Sequence, residues 1–510
     1  MSSNLQIFQS WLYKEYSDDV PNDIINVIEN EGIPKRWVTS ASRIIHRLSE
    51  KPWYTQKEII QETNLSKDEI IKLNVAIRNS EFLQNLIING GIGKKYWKTI
   101  IPLISSNSVN NVLNYKYNFP IRVGIYPGIS CMFYCGFCGR NQQARYRSNI
   151  QSESLEMFKD IFEVMPKTST ISISGGLEPL THSKIGEIIS IAKSCGIRVP
   201  LITNANNLTN GFVEKHPGIL ELDSLRVSLY GIDEESTYLV TRKKGAYSLV
   251  KNNIINFLKL RNKSNPDLKV GLNYIVIPEN VDHVPKLIDY IAEVNNNVDG
   301  SGIDFITIRE DFGSVTDAIS DGIERTHELD GFLSAADRKN LIDTFKEFNR
   351  KKEIQCPTVK VDFGYALVQI NEGILGDQIK MVSGTDMRKS AYPQVSVAVD
   401  SYGDVFLYRE AGFLDRPGND KFIIGRITKE KSLEDIIIEF ISNKIEIEPH
   451  VSDARFMDAF DHLATILINQ AQDDKDLGIP FETGPVSARN VIYAEKTTQN
   501  KNGLFGTIHQ

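Results

Sequence analysis

Cysteine is scarce in this chain, with five in 510 residues. Such a count cannot brace a disulfide scaffold, so reduced thiols and a cytoplasmic setting are expected. No run of about 18 apolar residues occurs, and no membrane span is expected. A basic excess is lacking as well. The 58 Lys and Arg against 65 Asp and Glu leave a formal charge of −7, which argues against a general nucleic-acid partner while allowing a local basic groove. The opening MSSNLQIFQSWLYKEYSDD has neither the basic start nor the apolar run of a secretory signal. No internal repeat of about 20–50 residues is visible.

What is present divides along the chain. Residues 1–118 read as a helical domain, from periodic runs such as NDIINVIENEG, VTSASRIIHRLSEK and TQKEIIQETNLSKDEIIKLNVAIRN. The last resembles helix-turn-helix, but its mixed charge favours a packed helical domain over a DNA reader. Over 119–315, strand-like runs alternate with helical ones: PIRVGIY, TISISGG, RVPLITN, LRVSLYG, KVGLNYIVIP and GIDFITIRE. Six strand-then-helix units predict α/β architecture with a parallel sheet, too few for a closed eightfold barrel, hence a partial (β/α)6 barrel. Residues 316–470 read as an α+β region, with VKVDFGYAL as a strand and VSVAVD and DVFLYRE as a hairpin around Ser401–Asp404. Residues 471–510 read as an extension of unassigned role.

Three of the five cysteines fall within CMFYCGFC, at Cys131, Cys135 and Cys138. On a helix they would share one face as buried thiols. Pro127, Gly128, Gly136 and Gly139 argue instead for a loop at the C-terminal end of the first strand. Thiols converging from one loop are metal ligands. Three are one short of a structural zinc site, whereas a cubane iron–sulfur cluster on three cysteines leaves one iron open. Cys195 and Cys356 stand apart and predict no second cluster; Cys195 reads as a core thiol.

The spacing Cys-x3-Cys-x2-Cys resembles the signature of the radical S-adenosylmethionine (SAM) superfamily. That resemblance implies one 4Fe-4S cluster on Cys131, Cys135 and Cys138, SAM chelated by the open iron, and Phe137 near the adenine. Gly175, Gly176 and Glu178, in SGGLEP, resemble the motif that meets the SAM amino group, with Leu177 inserted. Thr203, Asn204 and Ser228 then fall where strand ends meet the ribose and carboxylate, with Val276-Ile277-Pro278 at the adenine face; a strand-end capping role, or plain core for the last, is the alternative.

Further blocks, Tyr96-Trp97-Lys98, GIYPGISCMFYC, ARY at 144–146, SLYG, KK at 243–244, IDFITIRED, GDVFLYREAGF and FMDAFD at 456–461, resemble the ammonia-lyase (deaminase) family acting on TDP-4-amino-4,6-dideoxyglucose in deoxysugar antibiotic pathways. The similarity runs from about residue 90 to about 465 and includes the inserted Leu177. It implies a nucleotide-sugar substrate and a 5′-deoxyadenosyl radical that abstracts hydrogen from C3. Deprotonation of the C3 hydroxyl and loss of the C4 amine as ammonia leave a radical, and its reduction by one electron and protonation give the 3-keto-4,6-dideoxy sugar. A small electron-transfer protein such as flavodoxin or ferredoxin is implied as reductant. The alternative on the same scaffold is dehydrogenation, epimerisation or decarboxylation of another sugar nucleotide or nucleoside. A structural or sensory cluster or zinc protein is the non-enzyme alternative.

Within those blocks, Arg140, Arg145, Arg309 and Arg409 are candidates for the diphosphate. Lys243 and Lys244 are candidates for the same charge or for the cofactor. Glu310, Asp311, Tyr408 and Glu410 are candidates for proton transfer beside an amine and a hydroxyl. A surface ion pair is the ordinary alternative for each charged residue.

Overall fold

A computed structural model describes residues 2–52, 54–105, 107–136, 138, 150–311, 333–375, 392–412, 418–445, 447 and 456–486. By contacts the described chain forms two compact units, one from 2–118 and 462–486, the other from 119–375 and 392–461. Among the described residues no helix is long and apolar enough to cross a membrane.

The first unit is helical, as its periodicity predicts. TNLS, from Thr63 to Ser66, ends helix Gln56–Thr63 and leads into helix Lys67–Asn79. Both start in capping boxes, Thr55 with Glu58 and Ser66 with Glu69, and Asn64 ends the first helix in the left-handed region at φ 55°. Tyr96 and Trp97 are buried, and the Trp97 indole N–H donates to the Leu48 carbonyl.

The second unit is built on one ten-stranded sheet, ordered β10-β9-β8-β1-β2-β3-β4-β5-β6-β7. The six expected strands are β1 (Arg122–Tyr126), β2 (Thr170–Ile173), β3 (Pro200–Thr203), β4 (Ser224–Leu229), β5 (Lys269–Val276) and β6 (Phe305–Glu310), paired in parallel in that order. The sheet continues on both sides. β7 (Lys360–Phe363) adds in parallel beside β6, and β8 (Ser396–Asp400) in parallel beside β1. β9 (Asp404–Phe406) and β10 (Ile423–Arg426) follow as antiparallel edge strands.

Two boundaries differ from the sequence reading. VKVDFGYAL is a strand only to Phe363; after Gly364 the chain turns into helix Tyr365–Asn371. DVFLYRE is a strand only to Phe406, and Arg409–Gly412 is a 3-10 turn. The β8–β9 hairpin itself forms. Its turn is held by Asp400, whose Oδ1 accepts from the N–H groups of Tyr402 (2.8 Å) and Asp404 (3.0 Å), and by Gly403 at φ +83°.

Strand side chains alternate between faces. The set Val123, Ile125, Ile171, Ile173, Leu201, Leu225, Val227, Val270, Leu272, Ile306 and Ile308 is buried. Helices Ile150–Val164, Ile185–Ser194, Ala246–Ser264 and Lys286–Asn296 supply the apolar partners that parallel sheets need. The opposite face is the more polar one: the strand registers bring Arg122, Ser172, Ser174, Arg226, Ser228, Asn273, Thr307 and Arg309 onto it, with Ile202, Ile275 and Phe305 among them. A polar inner face is not what core packing alone would select, and it marks where the chemistry belongs.

Candidate active site

The cysteine segment leaves the C-terminal end of β1 and is pinned on two sides. The Tyr134 and Gly136 N–H groups donate to the carbonyls of Thr241 and Val240, each at 2.9 Å, and so occupy the open end of helix Glu234–Thr241. The Glu178 N–H donates to the Ser130 carbonyl (3.0 Å), and the Ile129 N–H donates to Thr181 Oγ1 (3.0 Å). Gly128 is required here, because a Cβ would stand 2.7 Å from the Leu177 backbone. The Ser401 hydroxyl of the hairpin turn donates to the Pro127 carbonyl at 2.9 Å.

Leu177, the insertion in SGGLEP, is buried with Ile150, and Ile129, Cys131 and Tyr402 pack against the pair. The insertion is therefore an apolar wall behind the first thiol. Gly175 adopts φ +136°, where a side chain would also strike the Tyr126 ring. Cys135 is buried, while Cys131 and Cys138 are partly exposed. The Asn204 side-chain amide lies 3.7 Å from Cys131 Sγ and 3.2 Å from Met132 Sδ.

Among the described residues, no three His, Cys, Asp or Glu side chains already stand together as a ligand set. The donor chemistry nonetheless fits an iron–sulfur cluster. Three thiols share one loop that is anchored before and between them, and an amide N–H is aimed at one sulfur, as outer-shell groups of such sites are.

Glu178 is buried at 4% exposure and its carboxylate is engaged on both oxygens. Oε1 accepts from the Thr203 hydroxyl (2.5 Å) and the Leu180 N–H (3.1 Å), and Oε2 accepts from the Asn204 N–H (2.8 Å). Burial raises its pKa, against the three hydrogen bonds that favour the charge. Glu178 thus braces the ends of β2 and β3, and brings Thr203 and Asn204 into one network with the cysteine loop.

Tyr230, a residue the motif reading passed over within SLYG, belongs to the same place. Its ring meets Phe133 edge-on at 5.6 Å. Burial, then the nearby Cys135 and Cys131, push its phenol well above the ordinary value, and Ser228 hydrogen-bonds to it.

A second group lies on the polar sheet face. Arg409 Nη2 donates to the hydroxyls of Ser172 (2.9 Å) and Ser174 (2.7 Å), and the Tyr126 hydroxyl donates to the Arg409 carbonyl (2.9 Å). Arg309 shares this face, with its Nε buried and lacking a hydrogen-bond partner among the described residues. Burial above all raises the Tyr126 phenol, with Arg409 opposing and Glu410, which follows Arg409, adding to it.

The FMDAFD block also finds its place here. Buried Arg122 forks onto Asp458, with Nη1–Oδ2 at 2.6 Å and Nη2–Oδ1 at 3.1 Å, and its Nη2 lies 2.9 Å from Asp461 Oδ1. Asp461 Oδ2 also accepts from the Arg409 N–H at 3.3 Å. Burial opposes the Asp458 charge, yet Arg122 holds its pKa below the ordinary value; burial, then the Asp458 charge, push Asp461 above it. A carboxyl raised on folding contributes stability that is complete below its unfolded value and is lost as pH rises through its folded one. Asp461 should therefore destabilise the protein progressively as pH rises from the ordinary carboxylate range through neutrality. Melting curves across that range are expected to show Asp461→Asn gaining on the parent as pH rises; parallel curves would refute this.

Other candidates are placed elsewhere. Glu310 lies on the opposite face of β6 from Arg309, buried, with Oε1 accepting from the Ala366 N–H (3.2 Å) at the start of helix Tyr365–Asn371. Strand parity turns it away from the polar face. Tyr408 is 3% exposed and packs on Phe422 at 5.0 Å, in an aromatic core that continues to Phe456. Lys243 and Lys244 are exposed just after helix Glu234–Thr241. Asp311 follows β6 directly. Phe137, Arg140 and Arg145 lie outside the described residues.

The radical SAM superfamily model matches residues 125–291. The chain is 33% identical over 435 residues to the Streptomyces venezuelae dTDP-4-amino-4,6-dideoxy-D-glucose ammonia-lyase, spanning 85% of this chain and 87% of that one. Among solved structures it is similar to native anSMEcpe with bound AdoMet (14% identity, 75% of this chain and 96% of that one, TM-score 0.41). It is also similar to Streptococcus suis SuiB bound to S-adenosylmethionine (17% identity, 68% and 72%, TM-score 0.38). Identity of this extent, with the radical SAM match over residues 125–291, shows that the chain belongs to the radical SAM dTDP-4-amino-4,6-dideoxy-D-glucose ammonia-lyase family.

Proposed function

We propose that this enzyme removes ammonia from C4 of a nucleotide-linked 4-amino-4,6-dideoxy sugar and yields the 3-keto-4,6-dideoxy sugar. The observation that carries the reading is the pairing of a three-thiol loop at one strand end with a guanidinium-bearing inner sheet face. Cys131, Cys135 and Cys138 would hold the cluster. With SAM bound there, the cofactor pair supplies a 5′-deoxyadenosyl radical able to take hydrogen from C3 of the sugar.

The chain's own residues bind, orient and handle protons. Gly175, Gly176, Thr203, Asn204 and Ser228 form the polar strand ends proposed for SAM, with Glu178 fixing two of them. Arg409, set by Ser172 and Ser174, and Arg309 present forks for the diphosphate. Leu177, Ile129, Ile150 and Tyr402 give the first thiol an apolar side. The C3 hydroxyl must lose a proton and the departing C4 nitrogen must gain one. Asp311 and Glu410 are the proposed carriers, since Glu310 and Tyr408 are committed to a helix start and an aromatic core. A small electron-transfer protein, flavodoxin or ferredoxin, is the proposed reductant partner.

The test is anaerobic. The reconstituted enzyme is given reductant, SAM and dTDP-4-amino-4,6-dideoxy-D-glucose, and 5′-deoxyadenosine and ammonia are quantified. Both should rise with the sugar. Consumption of the sugar without ammonia would replace the lyase by a dehydrogenase, epimerase or decarboxylase. No response to the sugar would remove the substrate assignment.

A further inference from the structure

Arg226 has no role in the mechanism above, yet its position is unusual. It lies inside β4, on the polar face, and is 7% exposed. The registers place it level with Ile202 on one side and with Gly271 and then Phe305 on the other. Gly271 carries no side chain there, and a Cβ would sit 2.3 Å from the Phe305 ring. The ring therefore lies across the glycine, and the Arg226 guanidinium stands 5.7 Å from its centroid. This arrangement props an arginine fork on an aromatic floor in the sheet interior.

Two more guanidinium groups approach the same region. The pairing of Ile173 with Leu201 sets Ser174 in the row of Ile202 and Arg226, and Ser174 is the hydroxyl that receives Arg409 Nη2 at 2.7 Å. Ser174 and Arg226 are thus two strands apart, about 10 Å at ordinary strand spacing. Arg309 lies four residues beyond Phe305 on the same face, with its buried Nε lacking a hydrogen-bond partner among the described residues. Arg226 feels the charge of both. Burial pulls the Arg226 pKa down to about 10; Asp362 opposes this, and Arg309 and Arg409 add to it. Gathering cations in a low-dielectric interior is costly. A ligand with several anionic oxygens offsets that cost, and planar forks match it in a way lysines cannot.

We propose that Arg226, Arg309 and Arg409 together form the seat of the substrate's diphosphate, with Arg226, propped on Phe305, as its third arm. The inference rests on the nucleotide-sugar reading and adds to it a residue that no motif marks. The shared chemistry, an anionic oxygen cluster, also occurs in the SAM carboxylate, so the test must separate the two.

The reconstituted holoenzyme is titrated calorimetrically with dTDP, thymidine and SAM, for the parent and for Arg226→Gln. The parent should bind dTDP much more tightly than thymidine. Arg226→Gln should weaken dTDP by about 10- to 100-fold, the range for losing a hydrogen bond to a charged group, and leave thymidine and SAM unchanged. Arg226→Lys should fall between, and Arg309→Gln read the same way decides the matter should Arg226→Gln fail to fold. Loss of SAM affinity with dTDP intact would overturn the diphosphate seat in favour of the cofactor carboxylate. Unchanged affinity for both would make Arg226 structural. A parent that ignores dTDP would instead strike at the nucleotide-sugar reading beneath.

Discussion

Cys135→Ala protein, reconstituted anaerobically with iron and sulfide, is expected to retain no stable cluster, to lack its broad visible absorption, and to release no 5′-deoxyadenosine from SAM. Three thiolates are the fewest that hold a cubane with one open iron, so losing one exposes a second iron to solvent. Cys135 is the most demanding of the three positions. It is 8% exposed, its carbonyl accepts from the Cys138 N–H at 2.9 Å, and the neighbouring Tyr134 and Gly136 N–H groups tie it to a helix end. No water or added thiol readily replaces a ligand so enclosed. Cys356→Ser provides the control. Its thiol lies 3.9 Å from the Ile288 carbonyl, buried, with a pKa raised by that burial. It should reconstitute fully, as should Cys195→Ser. A cluster that survives Cys135→Ala, or one that is lost with Cys356→Ser, would refute the assignment. Iron and sulfide counts with the visible spectrum decide between these outcomes without any turnover.

The second large effect is expected at Glu178. Replacing it by alanine leaves two backbone N–H groups and a hydroxyl without their acceptor in a buried place, and should destabilise the protein by about 3 kcal/mol or more. Glu178→Gln keeps one acceptor oxygen but sets an amide NH2 near the Asn204 N–H or its neighbours, so an intermediate loss is expected. Urea denaturation of the apoprotein measures both. SAM titration of the reconstituted Glu178→Gln protein separates a brace from a direct contact. A brace loses stability and cofactor affinity together. Loss of SAM affinity at parental stability would return Glu178 to the amino-group role that its motif suggests.

Glu178 also shows what a linear reading can and cannot see. SGGLEP announces a turn at a strand end, and its glycines are explained where the chain places them: Gly175 takes a left-handed φ against Tyr126. That a carboxylate follows was visible; that its oxygens are claimed by Leu180, Thr203 and Asn204 was not. The same holds for the insertion Leu177, which looked like a departure from a motif and is a wall against Cys131.

The parity of β6 separates two adjacent candidates. Arg309 and Glu310 are neighbours in sequence, and alternation sends them to opposite faces, one polar and one capping a helix. Tyr408 and Arg409 also part, but beyond the end of β9, where the chain enters a 3-10 turn: one goes into an aromatic core and the other onto Ser172 and Ser174. Arg226 carried no signal of its own, since a lone arginine within a strand belongs to no motif.

The sequence by itself determined the helical N-terminal run, the six strand-and-helix units, the thiol loop at the first strand end and the family. These follow from spacings of a few residues: the periods of helix and strand, the glycines that permit tight turns, and the covalent distance between cysteines. Only the tertiary structure decided that β8 flanks β1, that Asp458 and Asp461 answer Arg122 across more than 300 positions, and that Arg226, Arg309 and Arg409 share one face. Those outcomes depend on strand register and on the need of each buried charge for a partner, which only the folded chain brings together.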